Sequence, residues 1–135
     1  MKSVREKTND MKLNDLTYKI RGALFSVHRE LGPGLLEHVY EAALAYELIE
    51  SGLKVRTQIP LPVIYKDIRL ELGYRIDVLV EEQVIIEIKS VETLHDVHKK
   101  QLLTYLKLSG KKLGLLVNFN EATLVDKESL IRIIN

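Results

Sequence analysis

Residues Gly73 to Lys89, GYRIDVLVEEQVIIEIK, constrain this chain more than any other stretch. Apolar and polar side chains alternate on either side of the polar turn Glu81-Glu82-Gln83, which predicts two antiparallel β-strands, Tyr74–Val80 and Val84–Ser90. The spacing puts Ile76, Val78 and Val80 on one face with Val84, Ile86 and Ile88. The other face carries Arg75, Asp77 and Leu79, then Ile85, Glu87 and Lys89. A turn centred on Glu82 sets Asp77 opposite Glu87 and Arg75 opposite Lys89, with opposed Cβ atoms about 4.5–5.5 Å apart. Two carboxylates that close repel each other, and Leu79 and Ile85 beside them are poor neighbours for a solvated face. A divalent cation would remove the repulsion.

The 135 residues suit one domain with a real core. Cysteine is absent, which excludes disulfides, thiolate–zinc sites and cysteine nucleophiles, and is compatible with the cytoplasm as location. The polar N-terminus MKSVREKTNDMK is no signal peptide, and no apolar run approaches the roughly 20 residues of a membrane span. With a net charge of +1, any nucleic-acid footprint must be local.

In chain order, residues 1–12 read as a flexible arm and residues 13–135 as a single domain. Asn14 or Asp15 can cap a helix in which Leu16, Ile20, Ala23, Leu24, Val27 and Leu31 recur at helical spacing. Gly32-Pro33-Gly34 ends it. A second helix is expected from about Leu36 to Ser51, stopped by Gly52. Val55–Ile59 and Leu61–Tyr65 read as short β segments, which Pro60 and Pro62 assign to a sheet edge. Lys66-Asp67 makes a turn, and Arg69–Val80 is expected to return as one longer strand. Leu94–Ser109 is helical, with Leu94, Val97, Leu102, Tyr105, Leu106 and Leu108 expected inside, and Gly110 closes it. Leu113–Phe119 has the composition of a strand buried on both faces, and Ile131–Ile134 of a last short one. The expected order is α-α-β-β-β-α-β-β, a mixed central sheet flanked by helices.

Three constellations carry candidate chemistry. Asp77 with Glu87-Ile88-Lys89 offers hard oxygen ligands for Mg²⁺ and an ammonium on the same face as Glu87, an arrangement suited to phosphodiester hydrolysis. The competing reading is a cross-strand salt-bridge network of Asp77 with Arg75 or Lys89. Glu37, in the first turn of the second helix, is either a third carboxylate for the metal or an acid favoured there by the helix macrodipole. Gln101 and Tyr105 lie four apart on one helix face, one turn beyond His98. They can support Lys89 or contact a phosphate or base; Tyr105 can equally be core with its hydroxyl at the rim, and His98 a surface histidine. Lys99, Lys100, Lys107, Lys111 and Lys112 make this end basic, as phosphate binding or a solvated helix face requires. No phosphate loop is present.

Gly34-Leu35-Leu36-Glu37-His38-Val39-Tyr40 resembles the G-x-x-E-x-x-Y signature of the GxxExxY protein family, which looks like a compact branch of the PD-(D/E)XK nuclease superfamily. The similarity covers about Leu16 to Asn135, through YRIDVLVEEQVIIEIKSVE and HKKQLLTYLKLSGKKLGLLVNFN to RIIN. It implies a restriction-endonuclease-like αβββαβ core with the site on the central hairpin. Asp77 and Glu87 match the metal-binding acids, Lys89 the lysine, and Glu37 the glutamate of the first core helix. Gln101 and Tyr105 match a Q-x-x-x-Y motif of RecB-like members. Ile76 stands before Asp77, so the proline of the superfamily's name is absent. The expected activity is a Mg²⁺- or Mn²⁺-dependent nuclease acting on DNA or RNA. Asp77, Glu87, Glu37 and the Ile88 backbone carbonyl hold the metal, Lys89 assists the water, and Gln101 and Tyr105 orient substrate or lysine. The alternative is a non-catalytic nucleic-acid or protein-interaction module that keeps the fold. A homodimer, which would span two strands, stays open.

Overall fold

The computed structural model describes the backbone of residues 4–135 and the side chains of residues 12–135. Helix α1, Val4–Leu31, starts well before the expected cap at Asn14 or Asp15. The flexible arm expected over residues 1–12 is therefore helical in backbone from Val4, while residues 1–3 and the side chains of residues 1–11 lie outside the described residues. Leu16, Ile20, Ala23, Leu24 and Val27 are buried as their spacing predicts. Gly32, at a φ of 65°, takes the left-handed backbone that ends the helix, and its N–H donates to the His28 carbonyl at 2.8 Å. Helix α2 follows as Glu37–Glu50, burying Tyr40, Leu44 and Leu48.

Five strands form the main sheet in the order β1 (Val55–Pro60), β4 (Arg75–Val80), β5 (Val84–Lys89), β6 (Leu113–Asn118), β7 (Leu130–Ile134). β5 and β6 run parallel and the other neighbours antiparallel, so the sheet is mixed. β1 is an edge strand, where Pro60 costs no ladder bond that the sheet needs. Helix α3, Asp96–Ser109, makes the crossover between the parallel pair and closes at Gly110 in a left-handed turn. β6 is buried along its whole length.

Arg69–Val80 is not one strand. Ile68–Leu70 (β3) pairs with Val63–Tyr65 (β2) in a separate two-stranded sheet, across a Lys66-Asp67 turn whose residues both have positive φ. Gly73, at a φ of 81°, then redirects the chain into β4. Seven strands among the described residues thus stand where the expected order has five. The segment α2–β1–β4–β5–α3–β6 is the αβββαβ core; α1, the β2–β3 hairpin and β7 are added to it.

The core has two layers. On one face of the sheet the apolar stripes of α1 and α2, Ile20 and Leu44 among them, pack with Val78, Val80, Val84, Ile86 and Ile88. On the other, Leu102, Tyr105 and Leu106 of α3 pack with Leu79, Ile85 and Leu116. Ile76 joins this second cluster instead of following Val78. Val97 and Leu108, expected inside, are exposed, since α3 seats on the sheet through a narrower stripe.

Candidate active site

The hairpin register is the one the turn predicts, but it stops short. Val80↔Val84, Leu79↔Ile85 and Val78↔Ile86 pair, and no pair follows. Arg75 and Lys89 are therefore not partners across the hairpin; Arg75 pairs with Pro60 of β1 and Lys89 with Asn118 of β6. Beyond Val78, side chains replace the ladder. The Ile88 N–H donates to Asp77 Oδ2 at 2.9 Å, and the Asp77 N–H donates to Glu87 Oε1 at 3.3 Å. Each carboxylate thus satisfies a main-chain donor that the parting strands leave free.

The other oxygen of each acid, Asp77 Oδ1 and Glu87 Oε2, has no hydrogen-bond partner among the described residues. No buried side-chain oxygen is left unpaired there, so both atoms touch solvent, although Glu87 is only 3% exposed. Burial, followed by the charge of Asp77, pushes the Glu87 carboxyl up to about 8. Burial likewise raises Asp77, against the Ile88 N–H bond that favours its charged form. Among the described residues neither acid forms a salt bridge, so the network with Arg75 or Lys89 is not what this face holds.

Asp77 and Ile88 open onto a cleft of about 440 Å³ whose far wall is α2, with Glu37, His38 and Glu41. Tyr40 explains how α2 is set there. Tyr40 is fully buried, stacks on Phe119 at 4.4 Å, accepts the Leu35 N–H at 3.1 Å and donates to the Gly32 carbonyl at 2.6 Å. It pins the Gly32–Leu35 loop, and Ser90 Oγ donates to the Leu35 carbonyl at 2.6 Å from the end of β5. Buried Asn118 holds the next turn of chain, accepting the Val91 N–H and donating to the Val91 carbonyl.

Lys89 is reached from α3. Its Nζ donates to Gln101 Oε1 at 3.3 Å, and Gln101 Nε2 donates to Tyr105 OH at 3.0 Å. Tyr105 is buried and meets Tyr74 edge to face at 5.8 Å; burial first, then Glu87 and Asp77, raises its pKa. His98 is tied up in the start of α3, where its Nδ1 accepts the His95 N–H at 3.0 Å. Burial lowers its pKa, and Lys89 adds to the effect.

The donor set is all oxygen, which suits a hard divalent cation. Among the described residues no three His, Asp or Glu side chains converge into a ready-made metal cluster, and exposed Glu37 stands across the cleft from Asp77. Mg²⁺ commonly takes one or two carboxylates and keeps several waters, so two acids and a main-chain oxygen are enough. Glu41 and Gln58, which also line the cleft, went unpredicted. Glu41 was within reach, one helical turn after Glu37 and therefore on its face; no local signal marked Gln58.

Among the described residues, no helix is long and apolar enough to cross a membrane. No curated protein and no solved structure matches the chain. The profile of the PD-(D/E)XK nuclease superfamily matches residues 14–133, which span the αβββαβ core, the parting hairpin and both helices that face it. The chain belongs to the PD-(D/E)XK nuclease superfamily.

Proposed function

We propose that the chain is a Mg²⁺- or Mn²⁺-dependent nuclease that hydrolyses phosphodiester bonds of DNA or RNA. The observation that carries this reading is the pair of unpartnered, solvent-touching oxygens on Asp77 and Glu87, a half-buried and a buried acid each fixed by a main-chain N–H group. Asp77, Glu87 and the Ile88 carbonyl would hold the cation, with Glu37 approaching from α2. The cation would neutralise phosphate charge and lower the pKa of an attacking water. Lys89, steadied by Gln101 and through it by Tyr105, keeps an ammonium beside the acids to orient that water or offset developing negative charge. The Gly34–Tyr40 signature supports placement in the GxxExxY branch, and the lack of cysteine fits a cytoplasmic setting.

The test is cleavage of a mixed pool of single- and double-stranded DNA and RNA, with and without Mg²⁺, by the wild type, Asp77→Ala and Lys89→Ala. Metal-dependent cleavage by the wild type alone is expected. Equal activity in all three would trace it to a contaminant and refute the proposal. The second reading is a non-catalytic nucleic-acid or protein-interaction module that keeps the fold. Nucleic-acid binding that ignores both Mg²⁺ and Glu87→Gln, without cleavage, would select it.

A further inference from the structure

Asp77 lacks a ladder partner on both sides. Towards β1, Thr57↔Val78 and Ile59↔Ile76 are paired in one continuous register, and the residue between them, Gln58, stands opposite Asp77 without a pair. Gln58 has a φ of 52°, in the left-handed region that side chains with a Cβ avoid. The other non-glycine residues with positive φ, Lys66, Asp67, Glu81, Glu82 and Lys127, sit in turns; among the described residues Gln58 alone has it inside a strand. Such strain persists where surrounding contacts hold it. Here the holding contact is visible: Gln58 Nε2 donates to Glu41 Oε1, and both residues line the cleft with Asp77 and Ile88. Glu41 follows Glu37 by one turn of α2, and its charge acts on Asp77 more strongly than that of Glu37.

We propose that Gln58 is a positioning residue and Glu41 an outer-sphere ligand of the cation site: the left-handed kink in β1 aims the Gln58 amide at Glu41, whose carboxylate accepts hydrogen bonds from the cation's hydration shell. This rests on the metal-site reading above. A hard cation that keeps several waters needs acceptors beyond its direct ligands, and the face of α2 across the cleft supplies one. The amide fixes one Glu41 oxygen and leaves the charge and the second oxygen to the cleft. Outer-shell partners of this kind commonly tune metal affinity by about 10–100-fold.

The experiment is calorimetric titration with Mg²⁺, paired with thermal unfolding of the metal-free full chain, for the wild type, Asp77→Asn, Glu41→Gln and Gln58→Gly. Glu41→Gln should weaken Mg²⁺ binding by about tenfold or more. Gln58→Gly is the sharper variant, because it leaves the Glu41 charge in place and glycine accepts the left-handed backbone. It should raise the Tm yet weaken Mg²⁺ binding by about tenfold. A merely structural Gln58 would not separate those two readouts. If Gln58→Gly and Glu41→Gln bind Mg²⁺ like the wild type while Asp77→Asn does not, this inference falls and the metal site stands. A lowered Tm for Gln58→Gly also overturns it. No Mg²⁺ binding by the wild type overturns both.

Discussion

Replacing Glu87 by Gln should weaken the pH dependence of metal-free stability across the neutral range. The substitution keeps the side chain's shape and an oxygen to receive the Asp77 N–H, while removing the charge from an acid only 3% exposed. Burial and the charge of Asp77 raise the Glu87 carboxyl from its ordinary 4.5 to about 8. A group with a higher pKa in the folded state binds a proton more readily there. Its stabilisation is therefore complete below about pH 4.5 and is lost as pH rises through about 8. One pKa unit corresponds to about 1.4 kcal/mol, so the loss across this window is on the order of a few kcal/mol. That is a large share of the roughly 5–15 kcal/mol typical of a domain. Urea unfolding in a chelator at pH 5, 6, 7 and 8 reads it directly. The wild-type midpoint should fall steadily with pH, that of Glu87→Gln should fall less steeply because only Asp77 of the pair still titrates, and the variant should be the more stable at pH 8. Mg²⁺ in place of chelator should restore wild-type stability at pH 8 by binding the folded state. Equal slopes for the two proteins would refute the argument, since some other group would then be titrating.

Three further outcomes follow from the packing. Tyr40→Phe removes a hydroxyl that accepts from Leu35 and donates to Gly32, and should cost about 1–3 kcal/mol in unfolding free energy; an unchanged Tm would show the loop is held by other contacts. Gly114→Ala would place a Cβ 2.8 Å from Leu102 Cδ1 where α3 meets β6, and should destabilise by about 1–3 kcal/mol, as denaturant titration would show. Gln101→Leu cuts the link between Lys89 and Tyr105 and should lower kcat of the proposed cleavage by about a hundredfold with affinity for the proposed Mg²⁺ unchanged. Wild-type kcat in that variant would mean the lysine is placed without Gln101.

Short-range patterns were legible wherever the chain itself carries the cause. The two-residue alternation around Glu81–Gln83 gave the hairpin and its register, and the apolar run from Leu113 gave a strand buried on both faces. The break between Leu70 and Arg75 was harder to see, because Gly73 interrupts a stretch whose residue types suit one continuous strand. Val97 and Leu108 misled for a similar reason: helical spacing marks an apolar stripe, but how much of it is covered depends on the seat that β6 and β7 offer α3.

The acids themselves were determined by the sequence. Asp77, Glu87 and Lys89 are set by alternation on one hairpin, and Glu37 by its place at the start of α2. Only the tertiary structure decided that the ladder ends at Val78↔Ile86, so that these carboxylates bond main-chain N–H groups and Asp77 lines the cleft. It also brought Glu41 and Gln58 across from Asp77. The physical reason is range. Strand and helix periodicity arise between near neighbours in the chain, whereas the parting of β4 from β5 and the placement of α2 depend on packing between segments far apart in sequence.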